Sequence, residues 1–140
     1  MPIKIEVRHA AMGVIYHCSG ALTIDDFIAA NATFLLTPEE ILKWRYTLID
    51  LTAAQSMDIN YADVSRVVSQ NRTIAAKAVP GVLLAVASPR DHSFGLARMW
   101  EALVEHVGWE TMTFRSVAEA EAWIHARLNQ KFGIDLEQEN

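Results

Sequence analysis

Two acids, Asp50 and Asp58, bracket the segment "IDLTAAQSMDINYADVS", and acids so placed suit three kinds of chemistry. A carboxylate at a strand end can accept a phosphoryl group, a pair can ligate a metal, and an acid ahead of a helix can bond the free amides of its first turn. Receiver-type phosphoryl sites gather several acids with a lysine on a late strand, and the late apolar runs "GVLLAVAS" and "ETMTFR" supply no lysine. Hard cations take six or more oxygens, more than Asp50 and Asp58 can offer alone. The segment therefore reads first as a turn and a helix start. Asp58 caps the helix or Asn60 does, and Asp50, set inside an apolar run, needs turn amides or a cation to satisfy its charge.

A second stretch, "SPRDHSFG" at residues 88–95, joins the most hydrophobic run of the chain to a helical pattern. Free amides at that helix start, beside Arg90, His92 and Ser93, would suit an anionic head group. The plainer alternative is that Asp91 or Ser93 caps the helix and Arg90 is solvated. His17 and Cys18 are neighbours, but adjacent residues on a strand point to opposite faces, so the imidazole does not activate the thiol; Cys18 reads as a buried structural cysteine. His9, His106 and His125 have no ligand spacing, and the chain contains no nucleophile elbow, phosphate-binding glycine loop or deaminase signature.

The elements that must position these residues follow from hydrophobic period. "IKIEVRHAAMGVIYHCSG" alternates on both sides of "AAMG", which predicts two strands with a tight turn at Gly13. Thr23 opens a helix with Asp26 as its capping partner and Ile24, Phe27, Ile28 and Leu35 on one face; Thr37, Pro38 and Glu40 start a short second one. "YTLIDL" at 46–51 reads as a central strand, 60–77 as a helix, 81–89 as a strand covered on both faces, 93–108 as a helix ending at Gly108, "ETMTFRS" as a last strand and 117–133 as a last helix. This order, β-β-α-β-α-β-α-β-α with the short extra helical piece, predicts an α/β fold: a mixed, mostly parallel five-stranded sheet with helices packed on it. Residues 1–133 form one domain, and the acidic tail 134–140 is expected to fray.

Composition narrows the partners. Twelve Lys and Arg against seventeen Asp and Glu give a net charge of −5 with no basic run, which speaks against nucleic acid. One cysteine makes no internal disulfide, the N-terminus lacks a signal-peptide pattern, and "AVPGVLLAVASP" is too short to span a bilayer, so a cytoplasmic protein is expected. Trp44 and Trp109, near element ends, are expected to be partly exposed and could anchor at a protein interface or a membrane surface. Base rates for assemblies favour a homodimer.

With the element order established, "TLIDLTAAQSMDINYADV" resembles the matching segment of the STAS, or SpoIIAA-like, anti-sigma-factor antagonist family: an apolar strand, an acid, a turn, then Asp-Ser-Ser-Gly-Leu opening a helix. "SFGLARMWEALVEHVGWETMTFRSVAEAEAWI" resembles the C-terminal half of a bacterial subgroup similar to CRAL-TRIO lipid-binding domains. The resemblance implies a SpoIIAA-like fold and a regulatory or ligand-binding role. It departs at the centre: Ile59 and Asn60 stand where the antagonists carry their serines, Tyr61 replaces the glycine, and Asn60 has no hydroxyl to accept a phosphoryl group.

The leading expectation is a non-enzymatic domain that recognises a partner protein or a small anionic amphiphile through strand-end loops 52–60 and 88–95, with Asp50, Ser56, Asp58, Asn60, Tyr61, Arg90, His92 and Ser93 at the site and no metal or cofactor. The alternative is a lipid-binding or membrane-associating protein of CRAL-TRIO character, with an apolar cavity below those loops. A third reading, an acid–base enzyme, requires Asp50, Asp58 and His92 to converge.

Overall fold

A computed structural model describes residues 2–10, 12–34 and 37–136. Five strands lie in sequence order across one sheet: β1 (Ile3–Arg8), β2 (Gly13–Thr23), β3 (Tyr46–Asp58), β4 (Leu83–Ala87) and β5 (Glu110–Phe114). β1 runs antiparallel to β2, and the three remaining pairings are parallel. The fold is α/β, as the element order predicts. Helices α1 (Ile24–Phe34), α2 (Pro38–Lys43), α3 (Tyr61–Ala75), α4 (Asp91–Val104) and α5 (Val117–Phe132) connect or follow the strands, with a 3-10 turn at Glu105–Val107.

Strand alternation separates two cores. Val14, Tyr16 and Cys18 of β2 and Leu84 and Val86 of β4 face α1, α3 and α4, whereas Ile15, Leu48, Leu83 and Ala85 face Ala120, Ile124 and Leu128 of α5. β4 is buried at all five positions, because helices cover it on both sides. α5 is fastened to the sheet edge by charge as well as packing. Glu110 of β5 accepts from Arg127 and from Lys131 at 2.7 Å, and the Arg127 bond first, with Lys131 adding to it, brings its carboxyl down to about 2.

Several expectations change. The β1–β2 connection places His9 and Ala10 in the left-handed region at φ 54°, and Gly13 is not at the turn but is the first residue of β2, paired with Arg8. Its glycine answers to packing: the Tyr46 ring lies against it, and a Cβ would fall 2.0 Å from the ring's Cζ. Leu35, assigned to the first helix face, lies outside the described residues. The tail does not fray at 134–136, since Leu136 turns back and is buried against the α5 core. Trp44 and Trp109 are not surface anchors; they are 2% and 9% exposed and meet edge to face at 5.5 Å. Trp44 donates to the Thr47 hydroxyl at 2.8 Å, so its polar atom is satisfied inside the core.

The largest change concerns β3. Residues 52–58, expected as loop, continue the strand and pair with Ser19–Thr23 of β2. His17 faces Asp50 while Ser19 faces Ala53, and Gly20 faces Ala54 while Ala21 faces Ser56, so β3 carries one extra residue at each of two bulges. Gly20, at φ +71°, supplies the backbone conformation at the second bulge.

Candidate functional site

β4 stops at Ala87, opposite Asp50, while β3 runs on to Asp58. One edge of the β3 extension therefore has no strand beside it, and the segment after β4 takes that place. Arg90 donates from Nη1 to the Gln55 carbonyl at 2.9 Å, and His92 donates from Nε2 to the Met57 carbonyl at 3.2 Å. Segments 52–60 and 88–95 thus meet at one rim, as adjacent parallel strands require, although the first is mostly strand.

α4 begins at Asp91 with Arg90 at the cap position and no side-chain cap. Ser93 does not cap it. Its hydroxyl bonds the Ser88 hydroxyl and donates to the Arg90 carbonyl at 3.3 Å, and the residue is 5% exposed. Asp91 is drawn sideways to Arg115 at 2.8 Å, and the Arg115 guanidinium sits 3.9 Å over the Phe94 ring. The rim therefore holds Arg90, His92 and the Arg115–Asp91 ion pair around a helix start whose first amides have no side-chain partner, and those amides with Arg90 favour negative charge.

On the opposite lip, Asn60 is the cap of α3. Its side chain accepts from Asp63 N at 2.8 Å, and Asp63 accepts from Asn60 N at 3.1 Å. Of the two candidate caps, Asn60 takes the role and Asp58 ends β3 as an exposed residue paired with Thr23. Ser56 is exposed beside Ala21. Tyr61, the first residue of α3, is 62% exposed. Asp50 finds the turn donors expected of its surroundings, in Thr52 N at 2.9 Å and the Thr52 hydroxyl at 2.6 Å, and this contact sits at the first bulge. Asp50 and Asp58 do not share a site. Their β2 partners, His17 and Thr23, are six strand steps apart, roughly 20 Å at about 3.3 Å per step.

Below the rim, between the sheet and α1, α3 and α4, lies a cavity of about 100 Å³. Its lining includes Met57 and Ile59 from the segment leaving β3, Ser93 and Leu96 of α4, and the rings of Tyr16, Phe27, Trp44, Trp100 and Trp109. Its walls are almost wholly apolar, and most polar atoms in them are spoken for. Trp100 donates to Asn71 Oδ1 at 2.9 Å, Tyr16 donates to Asn31 Oδ1 at 2.6 Å, and Asn31 donates to Gln70 at 3.0 Å. Trp109 Nε1 is the buried side-chain atom without an acceptor among the described residues. The amide belt tying α1, α3 and α4 around the cavity was missed from sequence. A signal exists, because Asn71 falls seven residues after Val64, on a stripe otherwise apolar.

Cys18 is buried in this same core, and burial, reinforced by the charges of Asp50 and Asp26, pushes its thiol up to about 12. His17 points the other way, to Glu6 at 2.8 Å. Among the described residues no three His, Cys, Asp or Glu side chains are grouped to hold a metal, and no helix is long and apolar enough to cross a membrane. No protein-family model matches the chain, and no curated protein matches it significantly.

Proposed function

We propose that this protein is a ligand-binding domain that does no covalent chemistry and takes a small anionic amphiphile, its apolar end in the cavity and its charged end at the start of α4. The observation that carries this reading is that residues of both rim segments also line the cavity: Met57 and Ile59 from one, Ser93 from the other, with Leu96 just beyond it. Size selects within the class. An apolar cavity of about 150 Å³ accepts benzene, so about 100 Å³ encloses only the last few carbons of a medium alkyl chain, whose remaining carbons reach the rim, and a full-length acyl tail overruns it. Charge selects the head, since the uncapped amides of α4 and the guanidinium of Arg90 oppose a cation there, the charge of Arg115 being offset by Asp91.

A second reading, recognition of a partner protein at the same rim, is favoured by one observation: the Tyr61 ring is largely in water next to exposed Asp58 and Asn60. It agrees with the SpoIIAA-like resemblance. The residue standing for the family's serine, Asn60, is occupied as a helix cap, so under this reading recognition proceeds without a phosphoryl switch at that position. Neither reading calls on Asp50, Asp58 and His92 acting together.

Titration with octanoate, followed by tryptophan emission, tests the first reading because Trp100 lies in the cavity wall. A saturable change with octanoate, weaker with octyltrimethylammonium and with palmitate, is expected. No saturable change, or equal response to the cation, refutes it.

A further inference from the structure

The second face of the sheet is covered by a single helix. α5 lies over β3, β4 and β5, which leaves the β1–β2 hairpin projecting beyond it. The hairpin's outer surface is accordingly charged, with Glu6 joined to Arg8 and His17. Between the projecting hairpin and α5 is a pocket of about 240 Å³, on the opposite side of the sheet from the apolar cavity. Its floor is apolar: Ile15, Leu48, Ile124 and Leu136. Its walls are not. Arg8, His9 and Tyr46 stand on the hairpin side, and Glu121 and His125, four residues apart on one helix face, stand on the other.

The polar groups are arranged in two poles. On one side, His9 Nδ1 and the Tyr46 hydroxyl are 2.8 Å apart, with the Tyr46 ring held against Gly13. Arg8 is committed to Glu6 through Nε, and its two Nη atoms make no hydrogen bond among the described residues. On the other side, Glu121 makes no hydrogen bond or ion pair among the described residues, and its charge is felt by Arg8 after those of Glu6 and Tyr46. A guanidinium lining the pocket with two nitrogens to spare suits a carboxylate, and a carboxylate without a hydrogen-bonded partner suits an ammonium. The floor between them offers only burial to whatever joins the two charges.

We infer that this pocket is a second binding site, for a small zwitterion with an apolar body, of the chemical class of a free aliphatic amino acid. The carboxylate meets Arg8 and the Tyr46 hydroxyl, the ammonium meets Glu121, and the side chain rests on Leu48 and Ile124. About 240 Å³ accommodates such a molecule, given that a water occupies about 30 Å³ in the liquid. The two sites lie on opposite faces of the sheet, so this one stands whether or not the other takes an amphiphile.

The test uses the full chain and three isosteric probes: L-leucine, 4-methylpentanoate, which lacks the ammonium, and 3-methylbutylamine, which lacks the carboxylate. Binding is read by amide and methyl chemical-shift perturbation. L-Leucine should shift Ile15, Leu48 and Ile124 saturably, and each single-pole probe should bind at least tenfold more weakly. Glu121→Gln, an exposed helical substitution that leaves the core untouched, should weaken L-leucine at least fivefold without affecting 4-methylpentanoate. Arg8→Gln should do the same for the carboxylate pole. Absence of saturable shifts at 20 mM L-leucine, shifts confined to the other face of the sheet, or equal affinity for the single-pole probes would overturn the inference.

Discussion

Ala97 of α4 is buried and lines the apolar cavity, which makes Ala97→Leu a test of both the space and its use. The substitution adds three carbons. If they enter the cavity, each methylene-sized group removed from water contributes about 0.8 kcal/mol, for about 2.4 kcal/mol in total. Immobilising a leucine side chain costs about 0.5–1 kcal/mol, leaving a net gain of about 1.5 kcal/mol. For a domain of this size that raises the midpoint of thermal unfolding by about 5 °C. The same carbons occupy the volume assigned to the ligand's apolar end, so octanoate affinity should fall at least tenfold while stability rises. Calorimetry and the fluorescence titration, run on the same preparation, measure the two effects. A variant less stable than the parent by 1–3 kcal/mol, the usual result of overpacking, would show that the space cannot accept a side chain. A stabilised variant that binds octanoate as before would refute the placement of the tail while leaving the cavity real.

Gly13→Ala should destabilise by about 3 kcal/mol or more, because the new Cβ falls inside the Tyr46 ring and forces it off His9; urea denaturation reads the loss, and Tyr46→Ala in the same chain should recover part of it. Asn60→Ala should cost about 1 kcal/mol as a lost cap, whereas Asp58→Ala should change stability by no more than about 0.5 kcal/mol; the reverse order would put the cap at Asp58. Glu110 is lowered from 4.5 to about 2 on folding, so its contribution is complete above about pH 5 and is lost as pH falls toward 2. Glu110→Gln should flatten that acid limb of the stability curve, measured by urea midpoints between pH 2 and 6, and an unchanged limb would show that the Arg127 and Lys131 contacts do not persist in solution.

The features that sequence reasoning missed have a common cause. "TAAQSMD" carries no strand period and little β propensity, yet it is strand, because β2 continues beside it and offers a ladder of partners as far as Thr23. Trp44 and Trp109 sit near element ends, where exposure is the usual expectation, but the two rings cover each other across a gap of 65 residues in sequence. The rim was legible because β3 and β4 are consecutive apolar runs that pair in parallel, so the segments leaving their carboxyl ends emerge on one side of the sheet. The pocket beside α5 was not legible. Arg8, Tyr46 and Glu121 come from three distant segments, and nothing local to any of them signals the others.

The order and type of the elements, the caps of α2, α3 and α5 and the division of apolar residues between faces were determined by the sequence by itself, whereas α4 starts with no side-chain cap. Those features rest on interactions within four residues and on the periods 3.6 and 2, as with Thr37 and Glu40, Asn60 and Asp63, and Ser116 and Glu119. Tertiary structure alone decided how far β3 runs, that Asp50 and Asp58 stand apart while Arg90 and His92 seal the edge between them, and where the two cavities open. Each of these depends on which segments become neighbours and on how closely their side chains fill the space between them, and neither is encoded at any single position in the chain.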